Sequence, residues 1–382
     1  MHSNARANLP PEMAPLLIVA LSGRALACSA QRGGYPVVVL DLYNDLDTRS
    51  YALRSQAIPA IDGGFDGAAL LRMVEKLVSN DCPAVVGAGF EAATPLLEQL
   101  AAGRELCGNA AATIARVKDP RAFFALLDAL DIPHPEVSFT APANCEGWLA
   151  KEVGGNGGTH IRPAAQAALA SAAHYYQRLI PGRSASVLFL ANGHEARVIG
   201  FNEQLSAGGG ADGLAYWYAG AINRIDLPAV IETEIGLKLD ALVKATGLIG
   251  LNGLDFMMAG DTYQVLEVNP RPTATIDLHD EDFPSGLFHL HLQACRGRLP
   301  TYLPESNEVR AHAVVYTPQA LTTPAWFRFP AWCSDLPEPG THFSQPGPVC
   351  MVHSRGAAVN EVRRVLAQRQ RMIENTILEE AA

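Results

Sequence analysis

The sequence predicts an α/β chain of two to three domains that opens on a parallel sheet with helices on its faces. Three observations predict it. The 382 residues exceed one domain at roughly 100–200 residues each. Hydrophobic residues make up 48% and charged residues 18%, enough apolar material for several cores and too much for a disordered chain. The first hundred residues alternate short apolar runs with segments of helical spacing, which argues for a parallel sheet.

Leu16–Ala20 reads as a buried strand, and the small-residue stretch Gly23–Gln31 as a helix ended by Gly33 and Gly34. Val37–Leu40 is a second strand, closed by Asp41. Leu70, Val74, Leu77 and Val78 mark a helix, Pro83–Gly87 a strand, and Ala92–Ala102 a further helix. Ligands of such sheets sit beyond the carboxyl ends of the strands. Ser22-Gly23-Arg24 followed by Gly33-Gly34 lacks the GxGxxG spacing of a dinucleotide site, however. From Asp119 the texture changes. Asp119 is an N-cap and Pro120 the first helical residue of a helix to Leu130, with Phe123, Leu126, Leu127 and Leu130 on its apolar face. Trp148–Val153, Ala185–Ala191 and Ala196–Phe201 read as strands between glycine-rich turns. Ala229–Ala245 reads as a helix, and Leu254–Met258 with Gln264–Val268 as two strands. The Pro- and Gly-rich segment from Cys295 to Pro348 reads as a small β-rich module. Val359–Leu378 closes the chain as an amphipathic helix.

Composition excludes several function classes. There are 29 basic and 39 acidic residues, a net charge of −10, so no general nucleic-acid partner is expected. No run reaches the roughly 18–20 apolar residues that cross a bilayer. The opening MHSNARANLPPEMAP has no apolar core behind its basic residues and is expected to be a flexible lead-in rather than a secretory signal. Seven scattered cysteines with no CxxC argue against zinc and for reduced, mostly buried thiols in the cytoplasm. His289 and His291 could share a strand face but have no third partner, so they are expected to be structural.

The chemistry concentrates at LNGLDFMMAGDTYQVLEVNPRPTATID, residues 251–277. It reads as a hairpin. Pairing Phe256 with Leu266 leaves a three-residue turn, Gly260-Asp261-Thr262. That register puts Phe256, Met258, Leu266 and Val268 on one face. Asp255, Met257, Val265, Glu267 and Asn269 take the other, with Asp255 opposite Glu267. Two carboxylates so close repel unless a cation sits between them, and hard oxygen ligands suit magnesium shared with phosphate. The competing explanation is a solvated surface hairpin.

This segment resembles the metal-binding signature of the ATP-grasp superfamily, and the family's other parts follow in order over about 106–277. LCGNAAATIARVKDPRAFFALLDALDIPHPE resembles the segment presenting a nucleotide-binding lysine, Lys118. WLAKEVGGNGGTHI resembles the strand carrying a second lysine, Lys151, and a phosphate loop with Gly155, Asn156, Gly157 and Gly158. Lysine is a compact charge suited to phosphate, and glycines let backbone N–H groups approach it. YYQRLIPGRSASVLFLANG resembles the linker that holds adenine by its backbone, placing Gln177, Arg178 and Leu179 there. Many relatives have glutamate near position 184, where this chain has Ser184. The resemblance assigns Asp255, Glu267 and Asn269 to the metal, and Arg271 to charge on the transferring group.

The resemblance implies an ATP-grasp fold: a first domain over 1–105, a lid over 106–182, and a C-terminal α+β domain over 183–382 that carries the β-rich tail and the last helix. It implies ATP and magnesium, with manganese as a substitute, and a carboxylate–amine ligase working through an acylphosphate. The substrates are expected to be small molecules, with no nucleic acid or membrane partner, and a homodimer is allowed. The branch it most resembles, related to biotin carboxylase, includes tyramine–glutamate ligases of methanofuran- and methanopterin-type cofactor synthesis, so glutamate or another amino acid is an expected substrate. Two rivals stand: a carboxylating enzyme acting on bicarbonate, and a nucleotide-binding regulator without catalysis. A second glycine run, Ser206 to Gly213, is expected to be a lid or an exposed loop.

Overall fold

The structure is a computed structural model that describes residues 14–166, 174–207, 215–317, 319–344 and 347–378. The expected lead-in through Met13 and the glycines at 208–210 and 213 lie outside the described residues.

Short, fully buried runs make the first sheet. Leu16–Val19 and Val37–Asp41 are buried at every position, as strands covered on both faces must be. They pair in parallel, with Ala84–Val86 on one side and Arg54–Ala57 on the other. The edge strand Arg54–Ala57 carries no apolar run, so hydropathy does not reveal it. Helices Arg24–Arg32, Gly67–Leu77 and Thr94–Ala101 follow the strands. Asp66 caps the second of these by accepting the Ala69 N–H at 2.9 Å.

Helix Ala111–Lys118, not anticipated from spacing, runs into helix Pro120–Ala129. Asp119 separates them as the expected cap, accepting from Arg121 and Ala122 N–H at 2.8 and 3.1 Å. The segment expected to form a lid contains a four-stranded antiparallel sheet in the order Val137–Ser138, His174–Arg178, Trp148–Glu152, Ile161–Pro163.

An eight-stranded antiparallel sheet organises the rest. Its order is Thr262–Asn269, Ile249–Ala259, Arg183–Asn192, Ala196–Ser206, Tyr218–Ile222, Val309–Tyr316, Pro348–Gly356, Cys333–Ser334. The β-rich tail therefore continues this sheet. Side-chain alternation along Arg183–Asn192 feeds two cores. Val187 and Phe189 pack with helix Ala229–Thr246, while Leu188 and Leu190 pack with helix Gly286–Cys295 and with Ile18 and Leu26 of the first domain. That second core joins the first domain to the large sheet. The last helix, Val359–Leu378, buries Val362, Leu366, Ile373 and Ile377 against the tail strands.

Two expectations are corrected. Only Cys82, Cys107 and Cys350 of the seven free thiols are buried; Cys28, Cys295 and Cys333 lie on elements and Cys145 in a loop, all four partly exposed. His289 and His291 lie on helix Gly286–Cys295, not on a strand. His291 accepts the Leu251 N–H at 2.9 Å and its other ring nitrogen meets Cys107 O at 2.9 Å, so it is indeed structural.

Candidate active site

The hairpin Ile249–Ala259/Thr262–Asn269 closes on a two-residue loop, Gly260-Asp261, because Ala259 pairs with Thr262. The three-residue turn expected from hydropathy is thus incorrect. Gly260 has φ +63°, a left-handed value that glycine adopts without strain. A two-residue loop alone would set Asp255 and Glu267 on opposite faces. A bulge resolves this: Phe256 pairs with Val265, the register slips at Leu266, and Asp255 pairs with Glu267. The faces change accordingly. Val265 joins Phe256, Met258 and Val268 in the core, whereas Leu266 turns with Glu267 into the cleft.

That cleft is a cavity of about 1070 Å³ between the four-stranded sheet, the large sheet and the first, parallel sheet. Lys151, Asn156, Gly157, Gly158, Gln177, Arg178, Leu179, Ser184, Asp255, Glu267, Asn269 and Arg271 all line it. Two expected residues do not. Gly155 lies behind the loop, where a Cβ would fall 2.2 Å from the His160 ring. Lys118 ends its helix on the far side of the carboxylates and faces a second cavity of about 430 Å³. Its Nζ still reaches the metal-site candidates, 2.9 Å from Glu267 Oε2 and 3.4 Å from Asn269 Oδ1.

The acid pair is held asymmetrically. Asp255 accepts from Gln204 Nε2 and from Asn269 Nδ2, both at 2.9 Å. Burial raises its pKa, the Glu267 charge adds to this, and Lys118 only partly offsets it. Burial would raise Glu267 too, but the ammonium charges of Lys118 and Lys151 hold it well below the usual carboxylate range. Lys151 is buried on strand Trp148–Glu152 and donates to Gln177 Oε1 at 3.1 Å. Burial lowers its pKa despite the nearby Glu267 and Asp255.

Arg271 is fixed from behind by Glu91, whose Oε1 accepts from its Nε. Glu91 is buried and also accepts the Gly89 and Phe90 N–H groups at 2.8 and 3.0 Å. Burial would raise its pKa, but Arg271 and Lys118 hold it low. Ser184 donates to Gln204 Oε1 at 2.8 Å, so Ser184, Gln204 and Asp255 form one chain. Sequence reading missed Gln204 and Glu91. The inward alternation of Asn202 and Gln204 along a strand was a signal for the first; nothing in the sequence around Glu91 announces the second.

The glycine-rich loop expected to bind phosphate is strapped to the segment around Tyr216–Tyr218. Tyr218 N–H donates to Gly157 O at 3.0 Å, and at Gly158, φ +75°, a Cβ would lie 1.8 Å from Tyr216 O. The residues expected to hold adenine are partly committed. Arg178 and Leu179 give their N–H groups to Glu136 O and Gly147 O at 2.9 Å, and the Arg178 guanidinium stacks 4.9 Å from the Trp148 ring. By contrast Gln177 Nε2 is buried with no hydrogen-bond partner among the described residues. An orphaned donor, a lysine with one partner and an open glycine at 157 fit a phosphate-bearing ligand. The Asp, Glu and Asn oxygens fit a hard divalent cation.

Residues 117–275 match the family model of the ATP-grasp domain, a span that contains every site residue named above except Glu91. This part of the chain is an ATP-grasp domain, and the chain has the mixed α/β ATP-grasp fold. Among solved structures it is similar to biotin carboxylase from Campylobacter jejuni in complex with an ATP form (TM-score 0.72, 12% identity, 91% of this chain and 89% of that one). It is similar to the biotin carboxylase domain of 2-oxoglutarate carboxylase from Hydrogenobacter thermophilus, a dimer with MgADP and bicarbonate (TM-score 0.69, 11% identity, 93% and 88%). It is equally similar to L-amino acid ligase from Bacillus licheniformis (TM-score 0.69, 12% identity, 94% and 97%). No helix among the described residues is long and apolar enough to cross a membrane.

Proposed function

We propose that the protein is an ATP-dependent carboxylate–amine ligase that releases ADP. One observation carries this reading: Asp255, Glu267 and Asn269 converge with Lys151 and Arg271 on one cavity inside an ATP-grasp domain. Asp255, Glu267 and Asn269 would hold magnesium, which supplies charge neutralisation on phosphate oxygens. Lys151 and the loop Asn156–Gly158 bind the phosphates. Gln177 and the backbone carbonyls of the linker hold the base, since the N–H groups of Arg178 and Leu179 are already used. Lys118 neutralises Glu267 until a metal ion takes that role. A substrate carboxylate attacks the terminal phosphorus of ATP and ADP leaves. The acylphosphate then loses phosphate to an attacking amine, and an amide forms. Arg271, oriented by Glu91, stabilises charge on the transferring group. The lid keeps water from the acylphosphate.

An amino acid such as glutamate is part of this reading as one substrate, and the likeness to biotin carboxylases supports bicarbonate as a second possibility for the carboxylate. Release of ADP and phosphate, measured with paired panels of carboxylates and amines and with bicarbonate alone, tests both. Turnover that needs an amine supports the ligase. Turnover with bicarbonate and no amine requirement supports a carboxylating enzyme, and tight ATP binding without turnover on any pair points to a regulator.

A further inference from the structure

The cavity continues past the carboxylates to an end walled by the first domain, by Thr273–Asp277 and by the tail. Four acids line that end: Asp45, Asp277, Asp335 and Glu338. Arg24 and Arg49 are the arginines there, and both are paired with these acids, although Arg24 Nε and Arg49 Nη2 have no hydrogen-bond partner among the described residues. Arg24 binds both Asp277 oxygens and reaches Asp335 Oδ2 at 2.9 Å, and Arg49 pairs with Glu338. The acids just behind are also satisfied. Asp47 accepts the Asp335 and Leu336 N–H groups at 2.8 and 3.0 Å, and Asp41 accepts those of Gly23, Tyr43 and Asn44.

Asp45 is different. It is only 7% exposed, yet among the described residues its carboxylate has no hydrogen bond and no ion pair. It precedes helix Leu46–Tyr51 without capping it by its side chain. Burial, reinforced by Asp335, Asp41 and Asp47, pushes its pKa up to about 8. Its oxygens are not among the fully buried partnerless atoms and Asp45 lines the cavity, so a positive group entering from the cavity could pair with it and offset the burial that disfavours its charge. A metal ion does not fit, since no three His, Cys, Asp or Glu side chains converge to hold one among the described residues. The aromatic rings of Tyr43 and Tyr316 at this end suit an alkyl chain bearing an organic cation.

We propose that this end of the cavity is a subsite for an organic cation, an ammonium or guanidinium group on an alkyl chain carried by a substrate, with Asp45 as its partner. The inference rests on the ligase reading for the word substrate. It narrows that reading to substrates with a basic side group.

Calorimetry on the MgADP-loaded protein tests it, with 1,3-diaminopropane, 1,5-diaminopentane and agmatine as probes and 1-pentanol as the uncharged control. At least one cation binds and pentanol does not. Asp45→Asn, which keeps shape and helix-start preference, weakens that cation at least tenfold while MgADP affinity shows that the variant is folded. Failure of all three cations overturns the proposal, as does equal binding of pentanol, equal binding to the variant, or displacement of the cation by Mg²⁺ alone. Should MgADP itself fail to bind the wild type, the ligase reading fails, while cation binding to the nucleotide-free protein still decides the subsite.

Discussion

At the residue scale, the site works by placing charges that cannot relax into solvent. Lys151 is the clearest case. It is buried, its pKa is depressed by that burial, and among the described residues a neutral glutamine oxygen is its one hydrogen-bond partner. An ammonium in that state gains a great deal from a phosphate oxygen, since hydrogen bonds between charged groups contribute about 1.5–3 kcal/mol. Lys151→Ala is therefore expected to weaken MgATP binding by about tenfold or more, read by calorimetry. Unaltered affinity would remove the lysine from the phosphate site. Asp255 makes a second prediction. Burial and Glu267 raise its pKa to about 6, and a metal ion needs it deprotonated. Nucleotide-dependent magnesium affinity should thus fall as the pH drops through about 6, and a flat profile between pH 7 and 5 would contradict the assignment. These residues were legible in advance because an acid, an acid and an amide at fixed spacing suggest a cation. Gln204 and Glu91 were not, since their partners Asp255 and Arg271 are 51 and 180 residues away.

At the element scale, local irregularities do the positioning. The hairpin was recognisable from its apolar pattern, but two devices that fix it were not. A short loop and a bulge at Leu266 reach the same acid pairing that a longer loop would give, and hydropathy cannot separate the two solutions. Helix Ala111–Lys118 escaped notice because its small and basic residues show little apolar stripe, although it delivers Lys118. The proposed phosphate loop depends on Gly158, whose left-handed backbone and close contact with Tyr216 leave no room for a side chain. Gly158→Ala adds roughly 1–2 kcal/mol of backbone strain before the clash is counted. We expect the KM for ATP to rise about tenfold with little loss of thermal stability, because the strap and not a core is disturbed. An unchanged KM would mean that the loop does not embrace the nucleotide.

At the scale of the whole molecule, several ion pairs tie the first domain to the rest, and Arg24 is the most buried arginine among them. Arg24 lies on the first helix of the chain, is almost fully buried, and pairs with Asp277 beyond the hairpin and Asp335 in the tail. The parallel first domain was readable from its alternating runs. Its docking was not, because Arg24 is 253 residues from Asp277 and the apolar contact between helices Arg24–Arg32 and Gly286–Cys295 has no sequence signature. Removing one partner of a buried pair costs about 3–5 kcal/mol. Arg24→Met should lower Tm markedly at pH 7. Burial would raise the Asp277 pKa, but Arg24 holds it below its ordinary value. The pair therefore stabilises the fold above the usual carboxylate pKa, and this contribution fades as the pH falls through the lower folded value. The Tm gap between wild type and variant should be widest near neutrality and narrow in acid. A constant gap would show that Arg24 acts by packing alone.

The central claim is that Asp255, Glu267 and Asn269 together grip a divalent ion against a bound nucleotide. Manganese reports this directly through the paramagnetic resonance signal of the free ion. Titrated into the wild-type protein with ADP, Mn²⁺ should lose its free signal up to about one ion per chain beyond what ADP alone takes up. Glu267→Gln should abolish that extra uptake while ADP affinity measured without metal is kept. Equal uptake by the variant, or no uptake by the wild type, would contradict the account.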